Sequence, residues 1–250
     1  MTDTCTQCPK CGYQPPAPLP SSASCPNCGI YFFKWVKPIA APIHHNIKET
    51  PGSGDVGFLA SLLLPLEKMD SVSFYGRSIS LALLAVWSWF LFGYDHRTGE
   101  IGMSFMHNIL LPIHEAGHVI FRPLGEFMMI LGGSLFQFAL PVAIGIAFIV
   151  KQHDNFGASV ALWWGGVSLV DLSPYIYDAL HPQLVLLGGG TGSNDGPHDW
   201  IYLLTMLNQL DNARRWGTFI HVSGGLVMLL MLVWGAFLML QQHKLLDESI

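Results

Sequence analysis

The chain has 250 residues, 51% of them hydrophobic and only 12% charged, with a net charge of −5 and a mean hydropathy of +0.41. Soluble domains carry about a quarter charged residues, so the composition is that of a membrane protein, and the apolar segments along the chain make it an all-α polytopic one. Without a basic stripe or polybasic run it argues against a nucleic-acid partner.

All five cysteines precede residue 29. Cys8-Pro9-Lys10-Cys11-Gly12 and Cys25-Pro26-Asn27-Cys28-Gly29 repeat one C-P-x-C-G unit. Each unit turns two thiolates toward one point, and its Gly frees the backbone to bend. Together Cys8, Cys11, Cys25 and Cys28 predict a structural zinc site in a small ribbon domain over residues 1–35, too short to fold without metal. Two disulfides or a redox C-x-x-C are the alternatives. Cys5 also forms C-x-x-C with Cys8, but no following Gly completes a unit, so it reads as a spare. Reduced thiolates suit the cytoplasm, and no cleavable signal peptide is predicted. Residues 36–55, broken by Pro38, Pro42 and Pro51, read as a linker, in which His44-His45 are solvated.

Val56 to Leu66 is apolar but too short to span, which makes 56–78 an interfacial segment. Residues 79–250 are expected to form a transmembrane domain of about five helices, over Ile79–Tyr94, Met103–Phe121, Phe127–Val150, Ala158–Leu180 and Thr218–Leu240. If these alternate in direction from a cytoplasmic N-terminus, Lys10, Lys34, Lys37, Lys48, Lys68, Arg77, Arg122, Arg214 and Arg215 lie inside and only Arg97, Lys151 and Lys244 outside. The positive-inside rule then supports that orientation, as in a bacterial inner membrane. Gly132-Gly133 and Gly165-Gly166 are predicted to let helices approach closely. Trp87, Trp89, Trp163, Trp164, Trp216 and Trp234 read as interface anchors or lipid-facing packing.

The second apolar segment holds Ile113-His114-Glu115-Ala116-Gly117-His118-Val119, an H-E-x-x-H. On a helix, positions four apart share a face, so His114 and His118 present two imidazoles to one metal, as a catalytic zinc requires. Glu115, one step round the turn, is placed to take a proton from an activated water. Such groups in a lipid-bound segment usually face the protein interior and are functional. His107, seven residues before His114, shares that face; His221 is another intramembrane imidazole.

A catalytic zinc usually takes three protein ligands. Asp178 is the first candidate for the third, since it follows a helix-loosening Pro174 and reaches a similar depth. Asp171, on nearly the same face, reads as a second-shell partner of a ligand His. The stretch from Gly188 to Trp200 is glycine-rich but lacks the G-K-[ST] of a phosphate loop. It reads as a flexible loop in which Asp199, His198 or Asp195 is the alternative ligand, or in which Asp199 or Asn194 merely caps a helix over Trp200–Leu210.

H-E-A-G-H in one segment, a hydrophobic span, and a later segment with Asp171, Pro174 and Asp178 resembles the site-2 protease family of intramembrane zinc metalloproteases, whose motif is N-x-x-P-x-x-x-L-D-G. The resemblance covers residues 103–180. Asp171 stands where the family has Asn, Tyr177 and Ala179 flank Asp178 in place of Leu and Gly, and the gap after Pro174 is one residue short. It implies a catalytic zinc on His114, His118 and Asp178, with Glu115 as general base and a membrane-spanning or membrane-proximal peptide as substrate. The alternative expectation is a non-proteolytic zinc-binding membrane protein, either a transporter or a regulatory scaffold.

Overall fold

The computed structural model describes residues 4–8, 10–20, 22–32, 57–66, 69–187, 189–192 and 198–247. The predicted linker, with His44 and His45, and Asp195 lie outside the described residues. The chain falls into two compact units, Met1–Asp55 and Val56–Ile250.

In the first unit, strands β1 (Thr4–Cys5) and β2 (Leu19–Pro20) pair antiparallel, and Ser24 and Tyr31 form a bridge. Among the described residues its core is Cys8, Cys25 and Phe32, too small by itself to account for a stable fold. The two C-P-x-C-G units fold alike. Gly12 N–H donates to Cys8 O and Gly29 N–H to Cys25 O, while Cys8 N–H donates to Tyr13 O and Cys25 N–H to Ile30 O, all at 2.8–2.9 Å. Gly12 and Gly29 take φ of 73° and 74°, the left-handed conformation that explains a Gly at that place in both.

The second unit is helical. Its long helices are α2 (Ser71–Gly93), α3 (Phe105–Phe121), α4 (Glu126–Ala147, continued by a π-turn to Gln152), α5 (Asn155–Asp178) and α7 (Ala213–Asp247), with short helices α1 (Phe58–Ser61) and α6 (Asp199–Met206). Three helical stretches are long and apolar enough to cross a membrane, Ser71–Gly93, Glu126–Gln152 and Leu210–Asp247. They carry large apolar side chains outward, such as Trp89, Phe90, Leu230 and Val233, as lipid contact requires.

The first span starts at Ser71 rather than Ile79. Asp70 caps it, accepting from the Ser73 N–H at 3.1 Å and hydroxyl at 2.6 Å, and Arg77 forms a bidentate pair with Asp154 at 2.8 and 2.9 Å. These polar residues hide the first two turns from a hydropathy reading. The expected interfacial segment is a single helical turn followed by a strap. Side-chain donors from α5 and α7 hold its carbonyls: Asn155 on Ser61 O and Leu64 O, Trp234 on Leu62 O, and Gln241 on Leu63 O, at 2.8–2.9 Å.

Helix α5 is the interior element. Ala158, Trp163, Val167, Val170, Leu172 and Ile176 are buried, as are Ser159, Ser168 and Ser173. A helix enclosed by other helices needs no uniformly apolar surface, and α5 is therefore less apolar than the lipid-facing helices. A Cβ on Gly166 would lie 2.9 Å from Gly224 O, and one on Gly224 2.7 Å from Gly166 O, so α5 and α7 touch backbone to backbone. Gly165 has only ordinary contacts, the nearest at 3.7 Å. Nor are all the tryptophans lipid anchors. Trp163 is buried and donates to Ser88 Oγ at 2.7 Å, and Trp216 donates to Gln209 Oε1 at 3.3 Å.

The helix directions depart from simple alternation. Arg77 meets Asp154 at one end and His96 meets Tyr177 at the other, so α2 and α5 run parallel. Helix α7 runs against α5, since Gly217 packs on Tyr177 and Gly235 on Ser159. Helix α4 also runs against α5, with Gly145 on Leu162 and Gln137 beside Asp171. Helix α3 runs against α4, with His114 beside Gln137 and His118 beside Met129. Hence α2 and α3, neighbours in sequence, point the same way, and Phe105 at the start of α3 stacks on Trp87, part-way along α2. Arg97 consequently shares an end with Arg122, Arg214 and Arg215, while Arg77, Lys151 and Lys244 share the other. Among the described bundle residues the positive charges are split between the two ends, and the alternating orientation argument loses its basis.

Candidate metal centres

The first centre is built locally. Cys8, Cys11, Cys25 and Cys28 bring their Sγ atoms within 4.8 Å of one another, and Cys5 is not in the group. Cys8–Cys28 and Cys11–Cys25 are each 3.7 Å apart. A zinc with Zn–S bonds of about 2.3 Å separates tetrahedral sulfurs by roughly 3.8 Å, whereas a disulfide would hold them at about 2 Å. The spacing fits a four-thiolate metal site and not two disulfides. Without a cation the thiols oppose one another's ionisation. The Tyr13 N–H and the Asn27 amide pull Cys11 down to about 6. Cys28, despite the Ile30 N–H, is pushed up to about 12 by desolvation and by the neighbouring Cys11, Cys25 and Cys8. A divalent cation removes that conflict by stabilising all four thiolates.

The second centre is assembled from three helices. His114 is buried and His118 half-buried on α3. His114 Nδ1 donates to Gln137 Oε1 at 2.9 Å and His118 Nδ1 to Met129 O at 2.8 Å. Both anchors lie on α4, and both leave Nε2 as the free nitrogen. The two Nε2 atoms converge on Asp199, whose Oδ2 lies 3.0 Å from His114 and 3.3 Å from His118. Ligands about 2.0–2.2 Å from a tetrahedral zinc stand roughly 3.3–3.5 Å apart, and Asp199 Oδ2 lies near that distance from both imidazoles. Glu115, exposed, has an oxygen within 4.8 Å of the imidazole nitrogens.

Gly133 packs its backbone against the two rings. A Cβ built on it would lie 2.5 Å from His114 Nε2 and 2.6 Å from His118 Nε2, a clash with both nitrogens. Gly117 meets Gly132 O just as closely. The Gly132-Gly133 pair thus lets the α4 backbone lie directly against α3 and its two imidazoles.

Asp199 opens α6. His198 is the N-cap, its Nδ1 accepting from Ile201 N–H at 3.3 Å, so Asp199 does not take that role; Asn194 lies outside the described residues. Asp199 N–H donates to the Tyr175 hydroxyl at 3.0 Å, and the Tyr175 ring lies on His198 at 4.3 Å. Through Tyr175, α5 holds the start of α6 over the imidazoles. Asp178, the first candidate for third ligand, is elsewhere. It is the last residue of α5, and its carboxylate accepts from Gln183 N–H at 2.9 and 3.0 Å and Leu184 N–H at 3.0 Å, closing the turn beyond the helix. His198 Nε2, buried, lies 3.9 Å from it.

Asp171 touches neither imidazole of the motif. Its Oδ2 accepts from Gln137 Nε2 at 3.0 Å, and its Oδ1 accepts from His107 Nδ1 at 2.9 Å. The route to His114 runs through Gln137, which sequence reasoning missed. The available signal was a lone amide in the apolar run Phe127–Val150, where a polar group is costly and functional by default. His221, by contrast, is remote from this centre, stacked between Phe92 and His96 with Ser173 at 3.2 Å.

A cavity of about 880 Å³ opens beside the centre, within the size range of ligand sites. His107, His114, Glu115, His118, Asp171 and Asp199 line it, facing an apolar wall of Leu184 to Leu187. Compared with known proteins, the chain matches no family model, no curated protein and no solved structure.

Proposed function

We propose that the chain is an intramembrane zinc metallopeptidase, similar in its chemistry to the site-2 proteases, with a structural zinc ribbon at its N-terminus. The observation that carries this reading is the approach of both His114 Nε2 and His118 Nε2 to Asp199 Oδ2, at 3.0 and 3.3 Å. Asp199 takes the place first given to Asp178. Two imidazoles and a carboxylate favour zinc over hard cations.

A zinc ion held there supplies Lewis acidity, polarising a peptide carbonyl and making a water acidic. Glu115 takes the proton of the attacking water and returns it to the leaving amine nitrogen. Its exposure to the cavity leaves it free to swing between the two. The backbone anchor of His118 and the amide anchor of His114 fix both rings while the reaction proceeds. The apolar wall suits the side chains of a membrane-spanning or membrane-proximal segment. That segment must be locally unwound, because a helical backbone keeps its carbonyls engaged.

In the bilayer, α2, α4, α5 and α7 cross, and α3 reaches only part-way from the end where the cavity opens. Met129 is three residues from the start of α4, about 4–5 Å along the axis, so the reaction takes place near the membrane surface, where water is available. Reduced cysteines favour a cytoplasmic N-terminal unit, which in a bacterium means the inner membrane.

Glu115→Gln in the purified protein tests the reading, with zinc content and cleavage of membrane-derived peptides both measured. Cleavage is expected to fall about 10²–10⁴-fold with zinc retained. Cleavage unchanged in that variant overturns the mechanism and favours a non-proteolytic zinc-binding membrane protein.

A further inference from the structure

We infer that Gln137, held in one orientation by Asp171 and His107, is a positioning residue that decides which nitrogen of His114 meets the metal. The inference rests on the metal reading above and adds the device that prepares the ligand. Gln137 is 2% exposed, and its two amide ends are not interchangeable. Nε2 donates to Asp171 Oδ2 at 3.0 Å, and a carboxylate can only accept. Oε1 is therefore the end that faces His114 Nδ1 at 2.9 Å, and that nitrogen must carry a proton. Asp171 is fixed in turn by His107, which donates Nδ1–H to its other oxygen at 2.9 Å.

The alternative arrangement is close at hand. Asp199 Oδ2, 3.0 Å from His114 Nε2, is an equally good acceptor for the ring proton. A proton placed there would lie between two of the ligands and block the ion. By accepting at Nδ1, Gln137 keeps the proton of the neutral ring on the outer nitrogen and leaves the Nε2 lone pair for the metal. His118 needs no such device, because its Nδ1 faces the carbonyl of Met129, which can only accept. The two ligands are thus prepared differently, one by backbone and one by a chain of three side chains.

The test uses full-length protein with ¹⁵N-labelled imidazoles, and zinc as the probe. In metal-free wild type, the His114 Nδ1 resonance is expected to show a bound proton. In Gln137→Met, which keeps length and volume, that proton is expected to be lost from Nδ1 or shared with Nε2, and zinc affinity by chelator competition to fall about ten- to hundredfold. Asp171→Leu, which frees the amide to rotate, is expected to give the same spectral change with a smaller loss of affinity. A wild-type spectrum with Nδ1 unprotonated overturns the inference without recourse to any variant. So does a folded Gln137→Met that binds zinc as wild type does. A wild-type protein that shows the Nδ1 proton yet binds zinc only at the four-cysteine site would sink the metallopeptidase reading, and Gln137 would then only place the ring proton.

Discussion

The two metal centres are made in opposite ways. The four-cysteine site takes its ligands from two short units that fold alike, each with its own Gly at positive φ, and among the described residues of its unit only Cys8, Cys25 and Phe32 are buried. The membrane centre takes His114 and His118 from one helix, their anchors from a second, and Asp199 from a third, 81 residues beyond His118 by chain numbering. A metal held at the first would be needed for folding. In the second a bundle that is already packed holds the ligands apart, so the ion should matter to chemistry and little to folding. The difference teaches that equal-looking metal motifs in one sequence can have inverse relations between binding and stability.

The largest effect should be at the first centre. Cys25→Ser, or a strong chelator, is expected to abolish the folded state of the N-terminal unit, because its core is too small without the ion. The amide spectrum of that unit should collapse while the bundle's helical circular dichroism is kept. An N-terminal unit that stays folded after complete metal removal would erase the contrast. Next comes Gly133→Ala. Its methyl would clash with both Nε2 atoms, so zinc at the membrane centre should be lost outright while the four-cysteine zinc remains. One zinc per chain instead of two, by elemental analysis of the folded protein, is the expected outcome. Two zincs retained would mean that the ion sits elsewhere.

Legibility followed the same divide. Spacing within a few residues was enough to place Cys8, Cys11, Cys25 and Cys28, and to place His114, Glu115 and His118, because a knuckle and a helical turn fix geometry locally. The five long helices were readable from apolar runs, apart from the start of α2, where Asp70, Ser73 and Arg77 mask the first turns. What the sequence withheld was direction and long-range choice. Apolar runs carry no information on whether α3 reverses α2, and the charge argument for the expected orientation rested on that one assumption. Asp178 and Asp199 were both plausible acids. Only tertiary contacts, with Asp178 engaged by Gln183 and Leu184 and Asp199 steered by Tyr175, separate them. Gln137 went unnoticed because a lone amide has no motif.

The smallest effect sharpens that last distinction. Asp199→Asn should weaken zinc binding at the membrane centre, whereas Asp178→Asn should leave it intact. Asp178 accepts two backbone N–H groups in a largely enclosed position. Replacing its charge with an amide should destabilise the turn after α5 by about 1–3 kcal/mol, the range for hydrogen bonds to an ionised acceptor. The loss should appear as faster hydrogen exchange at Gln183 and Leu184 and not as a change in metal content. If instead Asp178→Asn loses zinc while Asp199→Asn keeps it, the roles given to the two carboxylates are reversed. The spacing after Pro174 would then have been the better guide to the ligand than the contacts of α6.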